Sequence, residues 1–141
     1  MKVSPYLLFN GNCMEAIALY EKAFCTKVKY CQYKDTPPSE EYPVQKGTEE
    51  LVMHGILPIG KETIYLSDTL PESPCVFGNG SLVCVELTSM QDVKSAFEVL
   101  KEGGKVFCEA QETFWSKCYA ELEDKFGLKW TIMLEEEMQA F

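Results

Sequence analysis

The chain has 141 residues, 46% hydrophobic and 25% charged, which fits a single globular domain with a core of its own. Its 22 acidic and 13 basic residues leave a net charge of −9, which disfavours nucleic acid as a partner because phosphates ask for a basic face. No apolar run approaches a membrane span, and the start MKVSPYLLFNG has neither a long apolar region nor a small-residue cleavage site, so no membrane partner and a cytoplasmic location are expected.

SPYLLFNG (4–11) reads as a strand running into an Asn-Gly turn. NCMEAIALYEKAF (12–24) reads as a helix. Asn12 stands at the cap with Glu15 three positions on, as in a capping box, and Met14, Ile17, Ala18 and Phe24 recur at helical spacing. TKVKYCQY (26–33) alternates lysine with apolar residues and reads as a strand. DTPPSEEYPVQKGTEE (35–50) is Pro-rich and charged, an exposed loop. ELVMHGIL (50–57) and ETIYLSD (62–68) follow as two strands joined by a turn at Pro58–Lys61.

After a linker, TLPESPCVFGNG (69–80), the pattern starts again. GSLVCVEL (80–87) is a strand, and SMQDVKSAFEVLKEGG (89–104) a helix with Ser89 as cap, Asp92 at the capping-box position and Gly103 as stop. KVFCEA (105–110) is a short strand, and FWSKCYAELED (114–124) with LKWTIML (128–134) forms a closing hairpin. Asp124 reads as a turn residue that bonds its own backbone, and EEEM (135–138) as a solvated tail. Each half is therefore a βαβββ module: 1–68, then 81–141, within one domain spanning 1–141. The halves even end alike, TIYLSD against TIMLEE. A single such unit cannot bury its sheet face; two side by side can, leaving a concave face open to a ligand. The expected fold class is α+β, two βαβββ modules forming a curved, incompletely closed mixed sheet around a concave cavity.

Seven cysteines, an odd number with no CxxC, exclude a zinc ribbon or a disulfide framework and read as reduced, semi-buried thiols. A nucleophilic cysteine needs a base, and His54 is the chain's one histidine.

PYLLFNGNCMEAIALYEKAF, the His in VMHGILPIG, the SD at 67–68, GNGSL, LKEGGKV and TFWSKCYAELEDKFGLKW together resemble the PhnB-like branch of the glyoxalase, bleomycin-resistance and extradiol-dioxygenase superfamily, also called the vicinal oxygen chelate superfamily. The resemblance covers almost the whole chain. It departs where the branch tends to have Gly after its Phe-Trp pair and after its Tyr; here those are Ser116 and Ala120. The branch is often labelled a demethylubiquinone methyltransferase, yet nothing here reads as a glycine-rich nucleotide-binding strand–turn–helix.

Metal-binding members of the superfamily place His on the first strand of each half and Glu on the fourth, to polarise vicinal substrate oxygens. Those positions fall at about Pro5, Leu82, Thr63 and Thr131, so a standard two-His, two-Glu site is not expected. No cofactor is expected beyond a weakly held divalent cation at Glu86 and Glu121. His54 and Glu121, taken as near equivalent places in the two third strands, are the pair that would converge in a non-standard site.

Alternation puts Cys118, Ala120 and Leu122 under a helix, and Tyr119, Glu121 and Glu123 on the concave side. The alignment puts Leu82 and Glu86 on the cavity side, and by the same reasoning Leu7 and Phe9; Tyr65 and Met133 are the candidates on the two fourth strands, and Trp115 a stacking residue. The resemblance then implies a small-molecule-binding protein, a homodimer by analogy with bleomycin-resistance proteins, whose ligand is a cationic aromatic compound held by rings and carboxylates. The alternative is a lyase- or isomerase-type enzyme acting on a small oxygenated substrate, through a non-standard cation or with His54, Glu86 or Glu121 as acid–base residue.

Overall fold

A computed structural model describes residues 1–136. They form, in chain order, β1 (Tyr6–Phe9), α1 (Cys13–Phe24), β2 (Lys29–Gln32), a 3-10 turn (Tyr33–Asp35), β3 (Val52–Ile59), β4 (Glu62–Asp68), β5 (Val83–Leu87), α2 (Met90–Leu100), β6 (Lys105–Gln111), β7 (Tyr119–Glu123) and β8 (Lys129–Leu134). The last two residues of the EEEM run lie outside the described residues. No described helix is long and apolar enough to cross a membrane.

The chain divides into two compact units, Met1–Glu21 with Cys25–Cys75, and Lys22–Phe24 with Val76–Phe141. Each carries a four-stranded mixed sheet, of order β1-β4-β3-β2 in unit 1 and β5-β8-β7-β6 in unit 2. In both, the first strand of the module runs parallel to the fourth and the remaining pairs are antiparallel. The architecture is α+β, a repeated βαβββ module, as the sequence pattern implies.

In unit 1 the core is built from Leu7, Phe9, Ile17, Tyr20, Leu57 and Leu66. The Phe9 and Tyr20 rings sit 6.3 Å apart, which fixes the face that β1 turns toward α1. The start of α1 differs from the expected capping box, because the Asn12 side chain makes no cap hydrogen bond. Asp68 replaces it: its Oδ1 accepts from the Cys13 N–H at 3.0 Å and its Oδ2 from the Val52 N–H at 2.9 Å. An ionised acceptor at a helix N-terminus satisfies an orphan donor and complements the helix dipole, a stronger cap than an amide side chain supplies. Burial first, and the Asp68 charge second, push the Cys13 thiol up to about 12. Cys13 is therefore expected to resist alkylation at pH 9 in the folded chain, checked by site-resolved mass spectrometry; rapid labelling there would contradict this placement.

The 69–80 stretch is not uniformly a linker. Its first part closes on unit 1: the Thr69 N–H donates to the Phe9 carbonyl at 2.7 Å, and the Asn10 amide pairs with both backbone groups of Cys75 at 2.7 and 2.9 Å.

Unit 2 packs Val85, Val93, Phe97, Leu122, Trp130 and Ile132. Here the expected cap forms, Ser89 Oγ accepting from the Asp92 N–H at 3.1 Å. Gly103, just past the helix, has φ +74°, the left-handed conformation glycine adopts without a Cβ penalty. The final hairpin is shorter than expected. Residues 114–118 are not strand, because Thr113 and Ser116 close a tight turn on themselves: the Thr113 N–H donates to the Ser116 carbonyl at 2.8 Å and the Ser116 N–H to Thr113 Oγ1 at 3.1 Å. Backbone groups satisfied in this way need no ladder partner.

Candidate functional site

Each sheet has one face under its helix and one face that is not, and most of the sequence-predicted polar and aromatic candidates cluster on the second face. In unit 2, β7 buries Ala120 and Leu122, with Cys118 buried just before it, while Tyr119, Glu121 and Glu123 are half-buried on the opposite side. The register extends that side into two rows across all four strands. Glu86 pairs with Met133, Met133 with Tyr119 and Tyr119 with Gln111. Cys84 pairs with Thr131, Thr131 with Glu121 and Glu121 with Cys108. Partners in a ladder share a face, so Glu86, Met133, Tyr119 and Glu121 are brought together. Leu82 lies just before β5 and is exposed, as is Glu86.

Trp115 lies in the turn rather than in a strand, 47% exposed, its ring edge-to-face with Tyr119 at 5.3 Å and with Phe114 at 4.6 Å. The Tyr119 hydroxyl donates to Glu121 Oε2 at 3.3 Å. Burial, and then the Glu121 charge, push the Tyr119 phenol above its ordinary value, against a lowering hydrogen bond from Thr131. The phenol therefore stays protonated at neutral pH and serves as a donor. Among the described residues, the ion pairs are Lys34–Glu50 and Lys101–Glu98, so Glu86 and Glu121 are in neither.

In unit 1 the corresponding face carries Tyr6, Leu8, His54, Ile56 and Tyr65. Tyr6, His54 and Tyr65 form one cluster: the Tyr6 hydroxyl lies 2.9 Å from His54 Nδ1, and the imidazole lies 5.2 Å from the Tyr65 ring. Leu7 and Phe9, expected to line the cavity, are instead buried on the helix side of β1. The physical reason is the Phe9–Tyr20 contact, which turns that pair inward and leaves Tyr6 and Leu8 outward. The register also separates His54 from the place matching Glu121. Glu121 pairs with Thr131 as Pro58 pairs with Thr63, so the match to Glu121 is Pro58, four residues from His54.

The superfamily's metal does not fit these side chains. Pro5 and Leu82 have no donor atom in their side chains, Thr63 and Thr131 offer only hydroxyls, and Glu121, the ladder partner of Thr131, is bonded by Tyr119. Among the described residues, no three His, Cys, Asp or Glu side chains are grouped as a metal would need. A cradle for a nucleotide-type cofactor is missing at α1 too: a single glycine precedes the helix, and its first N–H is taken by Asp68.

Residues 1–133 match the family described as 3-demethylubiquinone-9 3-methyltransferase. Protein YjdN of Escherichia coli K12 is 29% identical over 139 residues, with 94% of each chain covered. The crystal structure of protein PA1353 from Pseudomonas aeruginosa is similar at 27% identity and TM-score 0.80, covering 97% of this chain and 99% of that one. A Bacillus cereus PhnB protein, described as a putative 3-demethylubiquinone-9 3-methyltransferase, shares the fold at 20% identity and TM-score 0.73, covering 96% and 100%. The same fold occurs in a glyoxylase/bleomycin resistance protein/dioxygenase domain from Frankia, at 18% identity and TM-score 0.63, covering 99% and 95%.

Proposed function

The chain belongs to the PhnB-like 3-demethylubiquinone-9 3-methyltransferase family, within the glyoxalase/bleomycin resistance superfamily, and from that premise we propose that it binds a cationic aromatic small molecule on the open face of unit 2. The observation that supports this reading is the pairing of rings with un-neutralised carboxylates. Trp115 and Tyr119 meet edge-to-face, Glu121 in the neighbouring row is tied to Tyr119, and Glu86 lies in the row of Tyr119 itself. A flat cation stacked on such rings gains from their quadrupoles, and a carboxylate at the rim supplies the opposite charge. Met133, between Glu86 and Tyr119 in the row, is a polarisable wall that adapts to ligand shape. The chain's net charge of −9 favours approach of a cation over an anion.

Proflavine, planar and cationic, is the probe that tests this. Trp130 is fully buried and Trp115 is not, so quenching of the accessible tryptophan reports on the site. Saturable binding is expected, weakening as salt rises, with affinity falling about tenfold in Trp115→Ala, where proflavine's own fluorescence anisotropy replaces the lost tryptophan signal. A smaller loss is expected in Glu121→Gln. Absence of saturation, or an affinity indifferent to both substitutions, would sink the reading.

A further inference from the structure

We propose that Cys31, His54 and Tyr6 form a nucleophilic thiol site on the open face of unit 1, suited to soft carbon electrophiles such as α,β-unsaturated carbonyl compounds. Cys31 and His54 are direct partners across the antiparallel β2–β3 pair. Such partners project to the same face with Cβ atoms about 5 Å apart. The irregularity in this ladder falls after Cys31, between it and Gln32, so the Cys31–His54 pair itself is in register. Both residues are half-buried, hence reachable by a small reagent.

The third member contacts the imidazole: the Tyr6 hydroxyl lies 2.9 Å from His54 Nδ1. In the tautomer whose Nδ1–H donates to the Tyr6 oxygen, Nε2 keeps its lone pair and takes the thiol proton. The Tyr65 ring on β4 lies 5.2 Å from the imidazole, and Lys29, two residues before Cys31 on β2, shares the face. The nearby carboxylates are engaged elsewhere: Asp68 is buried under two backbone N–H groups, and Glu50 pairs with Lys34.

The reaction is a conjugate addition that needs no further reactant. The Cys31 proton moves to Nε2, and the sulfur attacks the β-carbon of the enone. The π pair shifts toward the carbonyl as an enolate, and the imidazolium returns the proton to the α-carbon. One C–S and one C–H bond form, one S–H bond and one C=C π bond break, and no electrons leave the pair of reactants.

Limiting N-ethylmaleimide on the folded chain at pH 7, read cysteine by cysteine in a mass spectrometer, decides the matter. Cys31 is expected to react about tenfold faster than the exposed Cys25, because His54 accepts the thiol proton as the C–S bond forms. Buried Cys13 and Cys118 stay unmodified and report that the fold is intact. In His54→Gln the Cys31 rate falls to that of Cys25, with Cys13 and Cys118 still protected. Tyr6→Phe removes the hydroxyl at Nδ1 while keeping the ring and lowers the ratio less; it also serves as the deciding variant if His54→Gln exposes the buried thiols. A Cys31 rate equal to that of Cys25 in the native chain overturns the proposal, and so does a ratio unmoved by the substitutions. The outcome is independent of proflavine binding, which concerns unit 2.

Discussion

Replacing Asp124 with alanine is expected to destabilise unit 2 by about 3–5 kcal/mol, the largest loss from any single carboxylate in the chain. Asp124 is 2% exposed, and its two oxygens accept from the backbone of Phe126 and Leu128 and from the Trp130 indole. Oδ1 accepts the N–H groups of Phe126 and Leu128 at 2.9 and 3.1 Å, holding the turn between β7 and β8. Oδ2 accepts from Trp130 Nε1 at 2.9 Å, inside the core. Alanine leaves the indole N–H buried without this acceptor and releases both turn amides, so the penalties fall on neighbouring groups that rely on one carboxylate. Asparagine separates the contributions. Its oxygen can still serve the two backbone donors, but its NH2 would face the indole donor, so the cost should lie between wild type and alanine. Urea unfolding followed by near-UV circular dichroism of the packed Trp130 measures both. A midpoint for Asp124→Ala within error of wild type would contradict this account of the turn.

Asp124 also shows how far the sequence could be read. Its position before Lys-Phe-Gly announces a turn residue, and the bonds to Phe126 and Leu128 are that turn. Its reach to Trp130 is invisible in a linear pattern, because a tyrosine or phenylalanine in that place would look the same. The faces of β7 were legible because Cys118, Ala120 and Leu122 alternate with polar residues. The faces of β1 were not: YLLF is apolar at every position, and its side is chosen by tertiary packing such as the ring contact between Phe9 and Tyr20. The cap of α1 was misread for a similar reason. Asn12 and Glu15 satisfy the local signature, yet a carboxylate from the far end of β4 outcompetes them. Trp115 looked like a strand residue until the Thr113–Ser116 hydrogen bonds took it out of the ladder. The Cys31–His54 pairing depends on which residue of β3 is left over at an irregularity, which no periodicity reveals. Local alternation thus carries the architecture, whereas long-range polar contacts and register carry the sites.

Gly104→Ala is expected to cost about 3 kcal/mol or more, although the residue touches neither proposed site. Any Cβ at this position would run into the Glu123 carbonyl oxygen and crowd the Asp124 backbone at 3.1 Å. The obstacle is main chain, so no rotamer change relieves it; β6 must move away from β7. That displacement strikes the first ladder pair, Lys105 with Glu123, and the next, Val106 with Leu122. It also loosens the 2.9 Å bond from the Gly104 N–H to the Lys101 carbonyl that ends α2. Gly80→Ala is the control, since a Cβ there has no neighbour within 4 Å, and a change within about 0.5 kcal/mol is expected. Equal thermal midpoints for the two variants would refute the steric argument. The consequence reaches the ligand face because Cys108 and Gln111, the β6 members of the two rows, are aligned against Glu121 and Tyr119 by the same strand. A Gly104→Ala chain that still folds at low temperature should therefore bind proflavine more weakly than Gly80→Ala does. The loss would arise from a shifted strand rather than from any missing contact group.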